Sequence, residues 1–215
     1  EYFKKLAKLQ NDMVIYTTED LAPRILEARK EYDLEEQTTI RVMDSYMPPG
    51  FEVYKEKVQK VMDDPEYYGK VLNPQLIEYW HADYVLVNIF KSYYVSNSIR
   101  SGDIDTDLVA WIDFGYVRDE DRFPVKENFT WKYDAFNDDK IHLFQIKDID
   151  ATTNIMDTLK YNIVYFQGCH AVSNKYGWDK YQKIMELCLH ELLVNDLVDD
   201  DQTLMLISYL FILLL

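Results

Sequence analysis

The hydrophobic positions of this chain change period several times, and each change marks an element. Phe3, Leu6 and Leu9 recur at helical spacing, which predicts a short amphipathic helix over the first ten residues. The β-branched run at 12–18 predicts a buried strand. Residues 18–32 predict a helix, with Thr18 as N-cap and acids in the first turn. Residues 38–44 predict a second strand, so the chain opens as strand, helix, strand, the start of an α/β pattern. Pro48, Pro49 and Gly50 break it, and a helix over 51–64 and a loop over 64–74 follow. The longest periodic segment, 74–99, reads as one helix with Pro74 in its first turn. Its apolar stripe is Leu76, Trp80, Tyr84, Val87, Phe90 and Tyr94.

After a polar loop at 100–107 comes the string LVAWIDFGYVRD. Its first five residues are a continuous apolar run of strand length, as expected of a central strand buried on both faces of an open parallel sheet. Residues 118–139 are loop-rich, 140–146 read as a strand, and 162–174 read as a strand entering a turn at Gly168. A helix over 177–196 follows, with Trp178, Tyr181, Ile184, Met185, Leu189 and Leu192 as its core stripe. A polar elbow, VDDDQ, then leads into a buried helix. The closing run LMLISYLFILLL is too short to span a bilayer.

Composition narrows the function classes. The 215 residues suffice for one sizeable domain, and with six Gly and six Pro the chain has no long flexible linker. The net charge of −15 argues against nucleic acid or an anionic membrane as general partners, since both need a basic face. It is compatible with a divalent metal held by oxygen ligands. Cys169 and Cys188 stand far apart and read as buried reduced thiols of a cytoplasmic protein. No transmembrane segment is expected, and nothing in the pattern specifies an oligomeric state.

The candidate chemistry centres on Asp113. Ligands of open α/β sheets sit beyond the carboxyl ends of the strands, which is where Asp113 falls. An acid there reads either as a metal or ribose ligand or as a loop cap. Gly115 would let the backbone turn closely around a ligand, and Arg118 is suited to grip a phosphate. His81, Asn88 and Lys91 share a helix face, from which Lys91 is placed to meet a diphosphate; the bland alternative is a solvated polar face. In VDDDQ, Asp199 as N-cap with Gln202 makes a capping box, while Asp200 and Asp201 are candidates for taking a proton from an acceptor hydroxyl. Gly168 would allow an acceptor sugar to approach, and His170 reads as a metal ligand, a hydrogen-bond donor or a structural histidine. Trp131, Tyr133 and Phe136 are either sugar-stacking rings or core. No P-loop, GxGxxG, HExxH or GxSxG string occurs, which argues against the common nucleotidases, dehydrogenases, zincins and serine hydrolases.

Taken together, AWIDFGYVR, the helix carrying NPQLIEYW and Lys91, the YFQGCH segment and the terminal VDDDQ resemble the bacterial HtrL/YibB family, also called WlaTC-like. The likeness covers most of the chain. That family is associated with surface-polysaccharide or lipopolysaccharide gene clusters and looks like a glycosyltransferase of the GT-A type. The resemblance implies a single GT-A-like (Rossmann-like) domain over 1–215, with a mixed, mostly parallel sheet flanked by helices and its first strand lacking. It implies Mn²⁺ or Mg²⁺ and a nucleotide-sugar donor at Asp113, with a glycan acceptor on the side of Asp200 or Asp201; the residue chemistry adds Gly115, Arg118 and Lys91 to the donor side and Gly168 and His170 to the acceptor side. It also implies a cytoplasmic location, at most peripheral to the inner membrane. Where the second acid of the usual Asp-x-Asp would stand, this chain has Gly115. A non-catalytic member of the same fold, binding a glycan or a partner protein, is the alternative. A phosphohydrolase is more distant, because Gly115 stands where its general acid would be needed.

Overall fold

The computed structural model describes residues 2–119, 125–126, 128–136 and 138–213. The remaining positions of the 118–139 loop, and the last two residues of the apolar terminal run, lie outside that description. Among the described residues, β1 (Met13–Thr17) pairs in parallel with β2 (Thr38–Val42). The connection between them is made by α2 (Ala22–Lys30). A second sheet holds β3 (Leu108–Ile112), β4 (His142–Gln145) and β5 (Phe166–Asn174) in the order β3-β5-β4, both pairings antiparallel.

The architecture is therefore mixed α/β, with small sheets flanked by helices, and the expected mostly parallel sheet is corrected. β3 hydrogen-bonds antiparallel to β5, with Ile112 opposite His170, and all five of its residues are half-buried rather than sealed on both faces. An apolar run reports burial, not strand direction, so the local pattern left this open. Gly168 lies within β5 rather than in a turn after a strand.

Several helices also depart from their expected bounds. The segment 74–99 is not one helix but a 3-10 turn at Ile77–Tyr79, then α5 (Ala82–Ile89) and α6 (Lys91–Arg100), broken at Phe90. His81 caps α5 by accepting from the Tyr84 N–H (3.2 Å). Its buried face is Ala82, Val85, Leu86 and Ile89, leaving Trp80 and Val87 exposed. Residues 82–90 are apolar nearly all round, so their spacing did not point to one side. The stretch taken as loop contains α4 (Pro65–Tyr68), capped by Asp64 accepting from Glu66 N–H (2.8 Å), with Tyr67 buried. Thr18 supplies a backbone carbonyl to the Ala22 N–H (3.1 Å), not a side-chain cap, and Pro23 sits in the first turn of α2.

The remaining helices are α1 (Phe3–Leu6), α3 (Glu52–Met62), α7 (Ile155–Tyr161), α8 (Lys175–Val194) and α9 (Asp201–Leu213). The main core gathers α3, α5, α6, α8 and α9 with one side of the β3-β5-β4 sheet. Trp178 of α8 is fully buried and donates through Nε1 to the Val109 carbonyl (2.9 Å), tying α8 to β3. Ser96 of α6 donates to the Trp178 carbonyl (3.2 Å), tying α6 to α8. Consecutive Leu204, Met205, Leu206 and Ile207 are all buried, so α9 is enclosed on every side there. A smaller core joins α1, β1 and α2 to Val117 and Val125 beyond β3.

Arg29 holds that smaller core together. It is fully buried and donates to the carbonyls of Ala7 (3.0 Å), Leu9 (2.5 Å) and Asn11 (3.0 Å) and to Thr38 Oγ1 (2.8 Å). Arg29→Met would strand two buried carbonyls and a part-buried third at about 1–3 kcal/mol each if none found water. We expect a loss of roughly 3–5 kcal/mol in urea unfolding. A loss under about 1 kcal/mol would show that the N-terminal carbonyls do not depend on the guanidinium.

Candidate active site

Four chain segments meet at the Lys91 ammonium. Lys91 opens α6, directly after the break at Phe90, and its side chain is largely buried. Its Nζ donates to Asp113 Oδ2 (3.1 Å), Asp201 Oδ2 (3.0 Å) and the Gly168 carbonyl (2.8 Å). Asp113 follows β3, Gly168 lies in β5 and Asp201 begins α9. The spacing in sequence is 22, 77 and 110 residues.

Each partner is placed for a local reason. The Asp113 N–H donates to the Cys169 carbonyl (3.0 Å), continuing the β3-β5 ladder past the strand end. Trp111 Nε1 donates to Asp113 Oδ1 (2.6 Å), leaving Oδ2 for Lys91. Gly168 is required by close approach. A Cβ there would stand 3.0 Å from both Asp201 carboxylate oxygens and 3.1 Å from Gln202 Cγ. Asp200, not Asp199, caps α9, its Oδ1 accepting from the Gln202 N–H (3.0 Å). Asp199 accepts from the Asp200 N–H (2.9 Å) and from Thr203 Oγ1 (2.8 Å). Gln202 reaches across to the Phe166 carbonyl (2.9 Å), so the anticipated capping box does not form.

Burial sets the charge states. Asp199 and Asp201 are 2% and 3% exposed. Burial pushes Asp199 up to about 7, against the hydrogen bonds from Thr203 and the Asp200 N–H. Burial raises Asp201 to about 6, with Lys91 pulling it down. Asp200 is raised well above the usual carboxylate range, first by burial and then by its two acidic neighbours. Burial alone would depress the Lys91 ammonium, but the charges of Asp201 and Asp113 and their hydrogen bonds leave it above its ordinary value. At neutral pH Lys91 and Asp201 are thus both charged and paired. Beside them is a cavity with room for about one water molecule, lined by Asn88, Trp111 and Tyr181 among others. The buried Tyr181 hydroxyl has no hydrogen-bond partner among the described residues. Its place in a core stripe at helical spacing gave no sign of this.

The other expected site residues stand apart from the ammonium. Gly115 lies in the turn closed by the Tyr116 N–H donating to the Asp113 carbonyl (2.9 Å). Its φ is not positive, and a Cβ there would meet only the Arg118 guanidinium at ordinary contact distance. Arg118 is exposed, and its Nε donates to the Gly115 carbonyl (3.2 Å). His170 is buried against aromatic rings. It stacks on Phe144 (4.3 Å between centroids) and meets Tyr116, Trp131 and Tyr133, whose hydroxyl is 3.1 Å from Nε2. Burial lowers it to about 4, so it is neutral at neutral pH. Trp131, Tyr133 and Phe136 are half-buried in this cluster. Cys169 and Cys188 are free thiols. Burial, and for Cys169 the charge of Asp113, pushes Cys169 upward, and burial pushes Cys188 to about 12, so neither is activated.

The donor set does not fit a divalent cation as it stands. Among the described residues no group of three or more His, Cys, Asp and Glu side chains is placed to hold one. The two carboxylate oxygens that converge, those of Asp113 and Asp201, are both on Lys91. No described helix is long and apolar enough to cross a membrane.

These features define a mixed α/β protein with a buried lysine–carboxylate centre where β3, β5 and α9 converge. The chain belongs to the HtrL/YibB family, whose model, described as bacterial protein of unknown function, matches residues 1–212. It is 33% identical over 218 residues to "Protein HtrL" of Escherichia coli (strain K12), an alignment covering 97% of this chain and 72% of that protein. No solved structure matches the chain.

Two outcomes follow from this geometry. Gly168→Ala forces its new methyl against a carboxylate pinned by Lys91. Overpacking costs about 1–3 kcal/mol, more than the roughly 0.4–1 kcal/mol gained by stiffening the unfolded chain. A lower urea midpoint is expected, and an unchanged or higher one would mean that Asp201 moves freely. Asp199 has a folded pKa raised above its unfolded value of about 3.9. Its stabilising contribution is therefore complete below pH ~4 and is lost as pH rises through about 7. Asp199→Asn can still accept from the Asp200 N–H and donate to Thr203 Oγ1 in reversed sense, without the charge. Its advantage over wild type should widen by about 1–3 kcal/mol between pH ~5 and ~8, or several degrees in Tm. A pH-independent difference would contradict the raised pKa.

Proposed function

We propose that this chain is a glycosyltransferase with a GT-A-like arrangement. It would transfer a sugar from a nucleotide-diphosphate donor to a bacterial surface-polysaccharide or lipopolysaccharide acceptor. The observation that carries the reading is the convergence of Lys91, Asp113 and Asp201, with Gly168 leaving room between them. Asp113 is the accessible member, its side chain 33% exposed against 4% for Asp201. It follows the end of β3, where β5 and α9 also converge on Lys91. In this reading Asp113 accepts hydroxyls of the donor, and Arg118 on the same turn faces the diphosphate.

The reaction joins an acceptor oxygen to the anomeric carbon and breaks that carbon's bond to the diphosphate, which leaves with the electron pair. The acceptor proton needs a base. Half-buried Asp200, which caps α9 beside the centre, is the candidate for it. Asp201 fixes Lys91, whose positive charge favours the leaving diphosphate. The saturation of Lys91 by protein acceptors also suits the alternative, a non-catalytic glycan- or protein-binding member of the family.

Calorimetric titration with UDP, GDP and CMP, with and without Mn²⁺, separates the two. The transferase reading expects micromolar binding of one nucleotide, weakened at least about tenfold by Asp113→Ala. No binding of any nucleotide in either condition would abandon it for the non-catalytic reading.

A further inference from the structure

Lys91 occupies a position made for a cation. Two carboxylate oxygens and a carbonyl oxygen, from three separate elements, are the hard donors that Mg²⁺ or Mn²⁺ takes. All three converge on one nitrogen at 2.8–3.1 Å. An ammonium has three N–H donors, so its capacity is filled. A divalent ion on the same oxygens would need contacts of about 2.0–2.6 Å, which leaves no place for the ammonium. The two cations therefore compete for Asp113 and Asp201.

The ammonium holds the advantage of attachment. Its backbone is fixed at the first residue of α6, and α6 is tied to α8 through Ser96, so its charge is delivered without loss of translational freedom. The charge count also balances. A divalent ion brings two positive charges to an acidic pair and a diphosphate. Here Lys91 brings one, and Arg118, anchored on the Gly115 carbonyl beside Asp113, brings the other.

We infer that Lys91 is a tethered replacement for a divalent cation, so that Asp113 and Asp201 form a metal-independent centre and become metal ligands only when Lys91 is removed. Its meaning for catalysis rests on the transferase reading, but its test does not. Lys91 is here a positioning residue, acting on the donor through Asp113 and through its charge.

The probe is Mn²⁺ alone, added to the full chain and followed by the electron paramagnetic resonance of the free ion. Wild type should leave millimolar Mn²⁺ free. Lys91→Met should bind one equivalent, and Lys91→Met/Asp113→Asn should bind none. Mn²⁺ binding by wild type that disappears in Asp113→Asn overturns the inference, as does a folded Lys91→Met that binds no Mn²⁺. If Lys91→Met fails to fold without metal, its recovery in Mn²⁺ supports the inference and continued failure in Mn²⁺ overturns it. A second readout uses the nucleotide identified by calorimetry. Equal affinity in EDTA and in Mn²⁺ is expected, and a gain of about tenfold or more on adding Mn²⁺ overturns the inference. If no nucleotide binds at all, the transferase reading fails while the Mn²⁺ experiment still decides the role of Lys91.

Discussion

One buried ammonium organises the centre of this protein. Taking Lys91 out of water costs several kcal/mol, and that cost is offset only if its partners are held in place. The requirement runs through the neighbourhood. β3 must end where Asp113 can turn inward, β5 must carry a residue without a side chain at 168, and α9 must start with a carboxylate facing back toward α6. Moving any of these elements by an ångström or two breaks a charged hydrogen bond inside the protein. The centre is thus a constraint on the packing of the sheet and helices as much as a candidate for chemistry.

The second buried cation works differently. Arg29 is surrounded by neutral carbonyls and a hydroxyl, and its planar fork satisfies several acceptors at once. It fastens the N-terminal segment to β2 and α2, and among the described residues no carboxylate hydrogen-bonds to it. Lys91 faces two carboxylates, one of them partly open to solvent. The Asp199–Asp201 run extends this acidic environment inward, with each carboxylate raised by burial. One buried charge is therefore enclosed for architecture, while the other adjoins a group that ligands can reach.

Much of this was legible from residue pattern, and the failures have physical causes. The strands at 13–17, 38–42 and 108–112 and the helix at 175–194 follow from β-branched runs and helical spacing. Asp113, Lys91, Gly168 and Asp201 stood out singly, because charge or absent side chain at the edge of an apolar segment is conspicuous. Their meeting was not legible, since it depends on strand pairing between residues far apart in sequence. Parallel and antiparallel neighbours leave the same local signature in LVAWI. Arg29 was missed because a basic residue on an amphipathic helix normally faces water. His170 was open between roles, and only the rings of Phe144, Tyr133, Trp131 and Tyr116 around it show a neutral imidazole in an apolar setting. The break at Phe90, which frees Lys91 to point inward, has no proline or glycine to announce it.

The spacing of Lys91 from its partners has a consequence for biogenesis. Asp113 leaves the ribosome soon after the lysine, Gly168 much later, and Asp201 only after 110 further residues. At about 5–20 residues per second, that last interval is roughly 5–20 s. Throughout it the nascent chain carries an ammonium whose final burial site is incomplete, alongside faces of α5, α7 and α8 that α9 has yet to cover. The centre therefore closes only once α9 has been made, whatever has folded before it. Termination between β5 and α9 leaves Lys91 without its more buried carboxylate and the core open, a natural substrate for chaperones and proteases.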